Sequence, residues 1–238
     1  MVRLVVSFVA LMLAGLPAVA GDRAMLDLIG YSEDAHYFAF EEFGIQDGSG
    51  LPYSSIYVVD LTNDSWVVGT PIKLVAEGEN QTLHQIRTDV LAEAVDEIEE
   101  LGIHLPAELV ALVADGAPDN DGTSLRFGSP GYDPGSVSGT SELQLTSYPT
   151  SAIAPCGEWF SIEPLGYELS LTDGDSTRLI HRDAALPRSR GCPTGYRLYG
   201  VALPFMAQST DAAVALISVY PGGFEGPDRR FIAVPLGQ

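Results

Sequence analysis

Only one stretch of this chain repeats its apolar residues with the period of a helix. Leu83, Ile86, Val90, Ala94, Ile98 and Leu101 recur at spacings of three and four, the stripe of an amphipathic helix. Thr82 with Gln85 fits a capping box, and Gly102 stands where such a helix would stop. Acids crowd its C-terminal part at Asp96, Glu97, Glu99 and Glu100, the wrong sign for the macrodipole. That end is therefore expected to be held by packing or by bound cations.

Around this helix the signals are those of strands. Residues 36–43 are aromatic-rich and bounded by turn formers, and residues 55–61 are β-branched and end in the turn Thr62-Asn63-Asp64. Residues 66–68 and 72–75 are short strands on either side of Gly69-Thr70-Pro71. Residues 106–113 suit a second short helix with Pro106 at its first position. From 115 to 150 the chain is rich in Gly, Pro, Ser, Asp and Thr and reads as a long loop, interrupted by short strands such as 142–145. Strands return at 167–171, 178–181, 196–203, 212–220 and 231–234. The expected class is α+β: mainly antiparallel β, as a sandwich or as open sheets, with one helix near 82–101 and a long loop near 115–150.

The first 20 residues have the form of a cleavable export signal. Arg3 supplies the positive flank, Leu4 to Leu16 is almost wholly apolar, and Ala18-Val19-Ala20 is the small-residue site, with cleavage expected after Ala20. The apolar run is shorter than the roughly 20 residues that span a bilayer, and no later stretch is long and apolar enough to do so. Residues 21–238 are expected to be one secreted or periplasmic domain. The chain carries 32 acids against 12 bases, a formal net charge of −20. The excess lies before residue 171, while seven bases lie beyond it. Such a field repels phosphate backbones and argues against nucleic acid and anionic membranes as partners. The two cysteines, Cys156 and Cys192, are an even count in an exported chain and lack C-x-x-C spacing, which points to a structural disulfide.

Three blocks carry a resemblance. They are Gly30-Tyr31-Ser32 with residues 37–50 and Pro52-Tyr53; residues 189–193 with Gly195-Tyr196; and residues 223–231. Together they resemble a family of predicted secreted bacterial proteins, domain of unknown function 2259. The likeness covers essentially all of the chain after residue 20 and implies export without supplying an activity. Ser32-x-Asp34 before an aromatic strand, followed by residues 56–61, is also similar to one blade of a Tol-type β-propeller, with Ala35 where such blades usually carry Gly.

The familiar catalytic spacings are missing. Residues 135–139 put Val137 where a nucleophile elbow needs Ser. His36, His84, His104 and His181 lack metal-ligand spacing and read as surface or strand residues. Asp119 and Asp121, with Asn120 and Gly122, offer alternating oxygens to a hard cation such as Ca²⁺, or form a solvated Asx turn; no other cofactor is expected. Glu41, Glu42 and Asp47 are the best carboxylate cluster, although alternation sends Glu41 and Glu42 to opposite faces of a strand. Arg182, Arg188, Arg190 and Arg197 surround Cys192, and Glu225, Asp228, Arg229 and Arg230 follow. These charges suggest an ion-pair network joining the N-terminal and C-terminal parts, with at least two opposite-charge contacts expected among Glu41, Asp47, Arg190, Glu225, Asp228 and Arg229, or else a pocket for an anionic ligand. The function expected from the sequence is a non-enzymatic binding or envelope-associated protein with an unidentified periplasmic ligand or protein partner. The alternative is a hydrolase acting through Glu41, Glu42 and Asp47.

Overall fold

Strands that bury both faces need cover on both sides, and that requirement stacks this chain into layers. The computed structural model describes residues 21–116, 119–223 and 226–237; the expected export segment lies outside them. β1 (Met25–Ser32), β2 (Tyr37–Ile45) and β3 (Pro52–Asp60) form successive antiparallel pairs. β4 (Ser65–Trp66) and β5 (Ile72–Val75) both pair with β3, and β6 (Ile103–Leu105) pairs with β1, giving a six-stranded N-terminal sheet. α1 (Leu83–Glu100) lies across its outer face, where Val90, Ala94 and Ile98 pack on Ile56 and Val58. The capping box at Thr82 and Gln85 is formed, and Gly102 takes the left-handed conformation that a side chain would resist. The acidic end of α1 is held by the packing of Ile98 and Leu101.

The other face of the N-terminal sheet, carrying Phe38, Phe40, Tyr57 and Val59, meets a central sheet. That sheet is built from β7 (Ala107–Leu112), β12 (Pro193–Pro204), β13 (Val214–Pro221) and β14 (Arg230–Pro235), in the order β14-β13-β12-β7. Alternation along β13 sends Val214 and Leu216 toward the N-terminal sheet, and Ala215, Ile217 and Val219 toward the opposite side. There a third sheet covers them: β8 (Ser124–Pro130), β9 (Val137–Pro149), β10 (Leu165–Asp173) and β11 (Ser176–Arg182), in the order β11-β10-β9-β8. Truncating a fully buried side chain such as Leu216 to Ala should cost about 2–5 kcal/mol.

Cys156, in the short helix α2 (Cys156–Phe160), is bonded to Cys192 at the foot of β12, with Cα atoms 5.5 Å apart. Among the described residues no helix is long and apolar enough to cross a membrane.

The class is the one expected, but two segments differ from their sequence reading. The expected helix at 106–113 is β7, an edge strand whose backbone pairs with β12 from Leu112↔Gly200 to Ala107↔Pro204. Cross-strand pairing overrides the helical preference of Ala, Glu and Leu. The expected long loop at 115–150 contains β8 and the 13-residue β9. β9 buries Ser141, Leu143 and Leu145 in alternation while Gln144 and Thr146 stay exposed, so polar composition conceals a one-sided strand. The blade-like segment is an ordinary part of the N-terminal sheet.

Candidate functional site

A groove of about 710 Å³ opens between the N-terminal sheet and the end of the central sheet. One wall is the inner face of β2 and β3, extended by β4 and β5; the other comes from β14, β11 and a 3₁₀ turn at Arg188–Arg190. Register explains which side chains meet there. Glu42 pairs with Ser55 and Phe40 with Tyr57, so Glu42, Ser55 and Tyr57 share the groove face. Glu41 pairs with Ile56 and faces α1 instead.

The groove concentrates positive charge in a chain that is strongly negative. Lys73, Arg188, Arg190 and Arg230 are four of the chain's 12 basic residues, and the carboxylates lining the groove are Glu42 and Asp64. Lys73, the chain's single lysine, holds its Nζ 5.8 Å above the Tyr57 ring. Trp66 packs edge-on against that ring at 5.3 Å and remains 39% exposed.

Arg230 is enclosed by acids and an aromatic. Its Nη2 lies 2.9 Å from Asp22 and 3.5 Å from Asp228, its Nε is 3.9 Å from Glu42, and Nη1 donates to the Tyr53 hydroxyl. Glu42 is buried and accepts the Phe231 backbone N–H at 2.8 Å. Burial pushes its pKa up to about 7, against the opposing pull of Arg230.

On the opposite wall His181 stacks on Tyr167 with ring centroids 4.7 Å apart. Its Nε2 is 3.0 Å from Asp183 and its Nδ1 is 3.6 Å from Asp64. Burial opposes its charge, but the two aspartates prevail and its pKa is pushed up to about 9. Burial works against ionised Asp183 too, yet the His181 hydrogen bond and the Tyr167 backbone N–H hold its pKa below the usual range. Arg190 is 15% exposed and lies over the rings of Tyr167 and Tyr196. Its Nη1 is 3.7 Å from Asp183, too far for a hydrogen bond, and is buried with no hydrogen-bond partner.

Of the charged residues singled out from the sequence, Glu42, Arg188, Arg190 and Arg230 enter this groove. Glu41 lies on the far side of its sheet, 2% exposed, held by Ser54 and by two atoms of Arg87. Asp47 is exposed on its loop, where its backbone N–H donates to Asp22. The carboxylates of the hydrolase alternative therefore do not converge. Arg229 pairs with Asp115 at 2.6 Å and donates to the Ala24 carbonyl, while Asp228 accepts the Asp22 backbone N–H at 2.9 Å. Glu225 lies outside the described residues.

Ion pairs do join the two ends of the chain, through Arg230 with Asp22 and Glu42, and of these Arg230 and Glu42 are among the charges that suggest such a network in the sequence. Two other members of the expected set pair elsewhere: Glu41 with Arg87 on α1, and Arg190 with nearby Asp183. At the expected cation loop, Asp121 accepts from the Thr123 N–H and hydroxyl, and Asn120 from the Gly122 N–H, the bonds of Asx turns. Among the described residues no three His, Cys, Asp or Glu side chains gather around one point as metal ligands would.

Sequence reasoning missed Lys73, Tyr57, Trp66 and His181 as groove residues. They come from four strands or turns that only the packing of two sheets brings together. The one signal available was that the sole lysine sits beside an aromatic strand pair.

A family model described as a predicted secreted protein (DUF2259) matches residues 39–236. No curated protein and no solved structure matches the chain.

Proposed function

The chain belongs to DUF2259, a family of predicted secreted proteins, and on that premise we propose that it is a non-enzymatic binding module of the periplasm or cell envelope. Its export signal is cleaved after Ala20, and its inter-sheet groove takes a small organic anion. The observation that carries this reading is the groove itself, which gathers four basic residues and several aromatic faces in a chain of net charge −20. Its volume falls within the range of small-molecule sites, roughly 300–1,000 Å³. Aromatic side chains give the ligand's body a surface to lie on, and arginine forks bind carboxylate or phosphate in two-pronged fashion. The hydrolase alternative is less well supported, because Glu41 and Glu42 point to opposite faces of one sheet.

The test is native mass spectrometry of the protein purified from the envelope fraction of cells that export it. A polypeptide beginning at Gly21 and carrying a dissociable acidic compound is the expected result. An exported protein that retains residues 1–20 would contradict the processing. Hydrolysis of a bound compound that is lost in Glu42→Gln would overturn the non-enzymatic reading.

A further inference from the structure

The positive charges of the groove are not equally available. Arg230 is met by Asp22 and Asp228, and His181 by Asp64 and Asp183. Lys73 and Arg188 are different: among the described residues no carboxylate lies within ion-pair distance of either. Both side chains are exposed. Two residues on, the Arg190 guanidinium packs over Tyr167 and Tyr196 with its Nη1 buried. That atom is shut off from the groove, so Arg190 acts on a ligand at Arg188 through its charge rather than through a direct bond.

The two groove cations without an ion-pair partner among the described residues, Lys73 and Arg188, lie on opposite walls, and Arg190, paired with Asp183, sits two residues from Arg188. Lys73 projects from β5 of the N-terminal sheet, whereas Arg188 and Arg190 come from the turn that precedes β12. Tyr57 and Trp66 stand beside Lys73, and Tyr167 lies beneath Arg190. A ligand with one acidic group could engage one wall and would leave the other unmet. A ligand with two acidic groups, held apart by an apolar or ring-shaped body, would engage both and lay that body against the exposed Trp66 beside Tyr57. Resting on the binding reading above, we propose that the groove selects an organic dianion, with one acidic group at Lys73 and the other at Arg188 and Arg190.

The test uses straight-chain α,ω-dicarboxylates of increasing length, the matching monocarboxylates, and α,ω-bisphosphonates, titrated calorimetrically at constant ionic strength. The expected result is a length optimum at which the dianion binds at least about tenfold more tightly than its monoanion. Lys73→Ala and Arg188→Ala should each reduce the dianion to the affinity of the monoanion. Both residues are exposed, so these variants should fold, and unchanged thermal melts would establish that they do. The end group, carboxylate or phosphonate, that shows the same optimum with higher affinity identifies the acid. Equal binding of mono- and dianions, or a length optimum that survives Lys73→Ala, overturns the dianion inference and leaves the binding module standing. Failure of every anion to bind overturns both.

Discussion

Glu41 is a carboxylate with 2% exposure held between a strand and a helix, so its partner Arg87 should matter more than a surface arginine does. Arg87 Nε lies 2.9 Å from Oε1, Nη2 lies 2.6 Å from Oε2, and the guanidinium sits 3.7 Å above the Phe43 ring. It also reaches Asp27 on β1, so one side chain clamps α1 to two strands. Arg87→Ala removes those bonds and leaves Glu41 with the Ser54 hydroxyl at 2.7 Å. Breaking a buried pair from one side costs about 3–5 kcal/mol. Because the Arg87 side chain is itself 30% exposed, water can reach the vacated position, and the low end, about 3 kcal/mol, applies. For a chain of this size that lowers the Tm by about 6–12 °C. Urea melts of Arg87→Ala, Glu41→Leu and the double variant measure the effect. The double variant should lose less than the two single losses added together, since it buries no lone charge. A loss below about 1 kcal/mol for Arg87→Ala, with additive singles, would show that the pair behaves as an exposed one and refute the reasoning.

Glu42 sets a pH dependence of the unusual sign for a carboxylate. Its folded pKa, about 7, lies above the ordinary 4.5, so the native state binds the extra proton; stability is fully present below 4.5 and falls as pH rises through 7. The contribution is about 3 kcal/mol. Glu42→Gln should remove the slope between pH 4.5 and 6.5 in denaturant melts and leave the fall above 6.5 that His181 contributes, and an unchanged slope below 6.5 would place its source elsewhere. Replacing both Cys156 and Cys192 by Ser opens a bridge of sequence separation 36 and should cost about 4 kcal/mol in the chain-entropy model. A double-Ser variant as stable as the parent under oxidising conditions would contradict it.

What the sequence disclosed depended on whether one local period decided the structure. α1 was legible because its apolar stripe, capping box and stop glycine all agree. β13 was legible because a strand buried on both faces is almost continuously apolar, with Ser218 the one polar interruption. β7 was not, since Ala-Glu-Leu-Val-Ala-Leu favours a helix in isolation and becomes a strand only against β12. β9 was obscured by Ser, Thr and Gly, which suit both a loop and the wet face of an outer sheet. Alternation alone separates Glu41 from Glu42, because neighbouring residues of a strand face opposite sides. The groove was the least legible part. Lys73 and Arg230 are 157 residues apart in number, and their meeting depends on how two sheets pack rather than on any spacing in the chain.

The claim that the groove binds an organic anion can be tested through its own tryptophan. The chain has two, and Trp159→Phe leaves Trp66, half-exposed at the groove beside Tyr57, as the single reporter. Adipate titrated into this variant at constant ionic strength should change the Trp66 emission along a saturating curve. The same titration after Lys73→Ala and Arg188→Ala together should give a flat response. A response that never saturates, or one that persists unchanged without the two cations, would contradict the account.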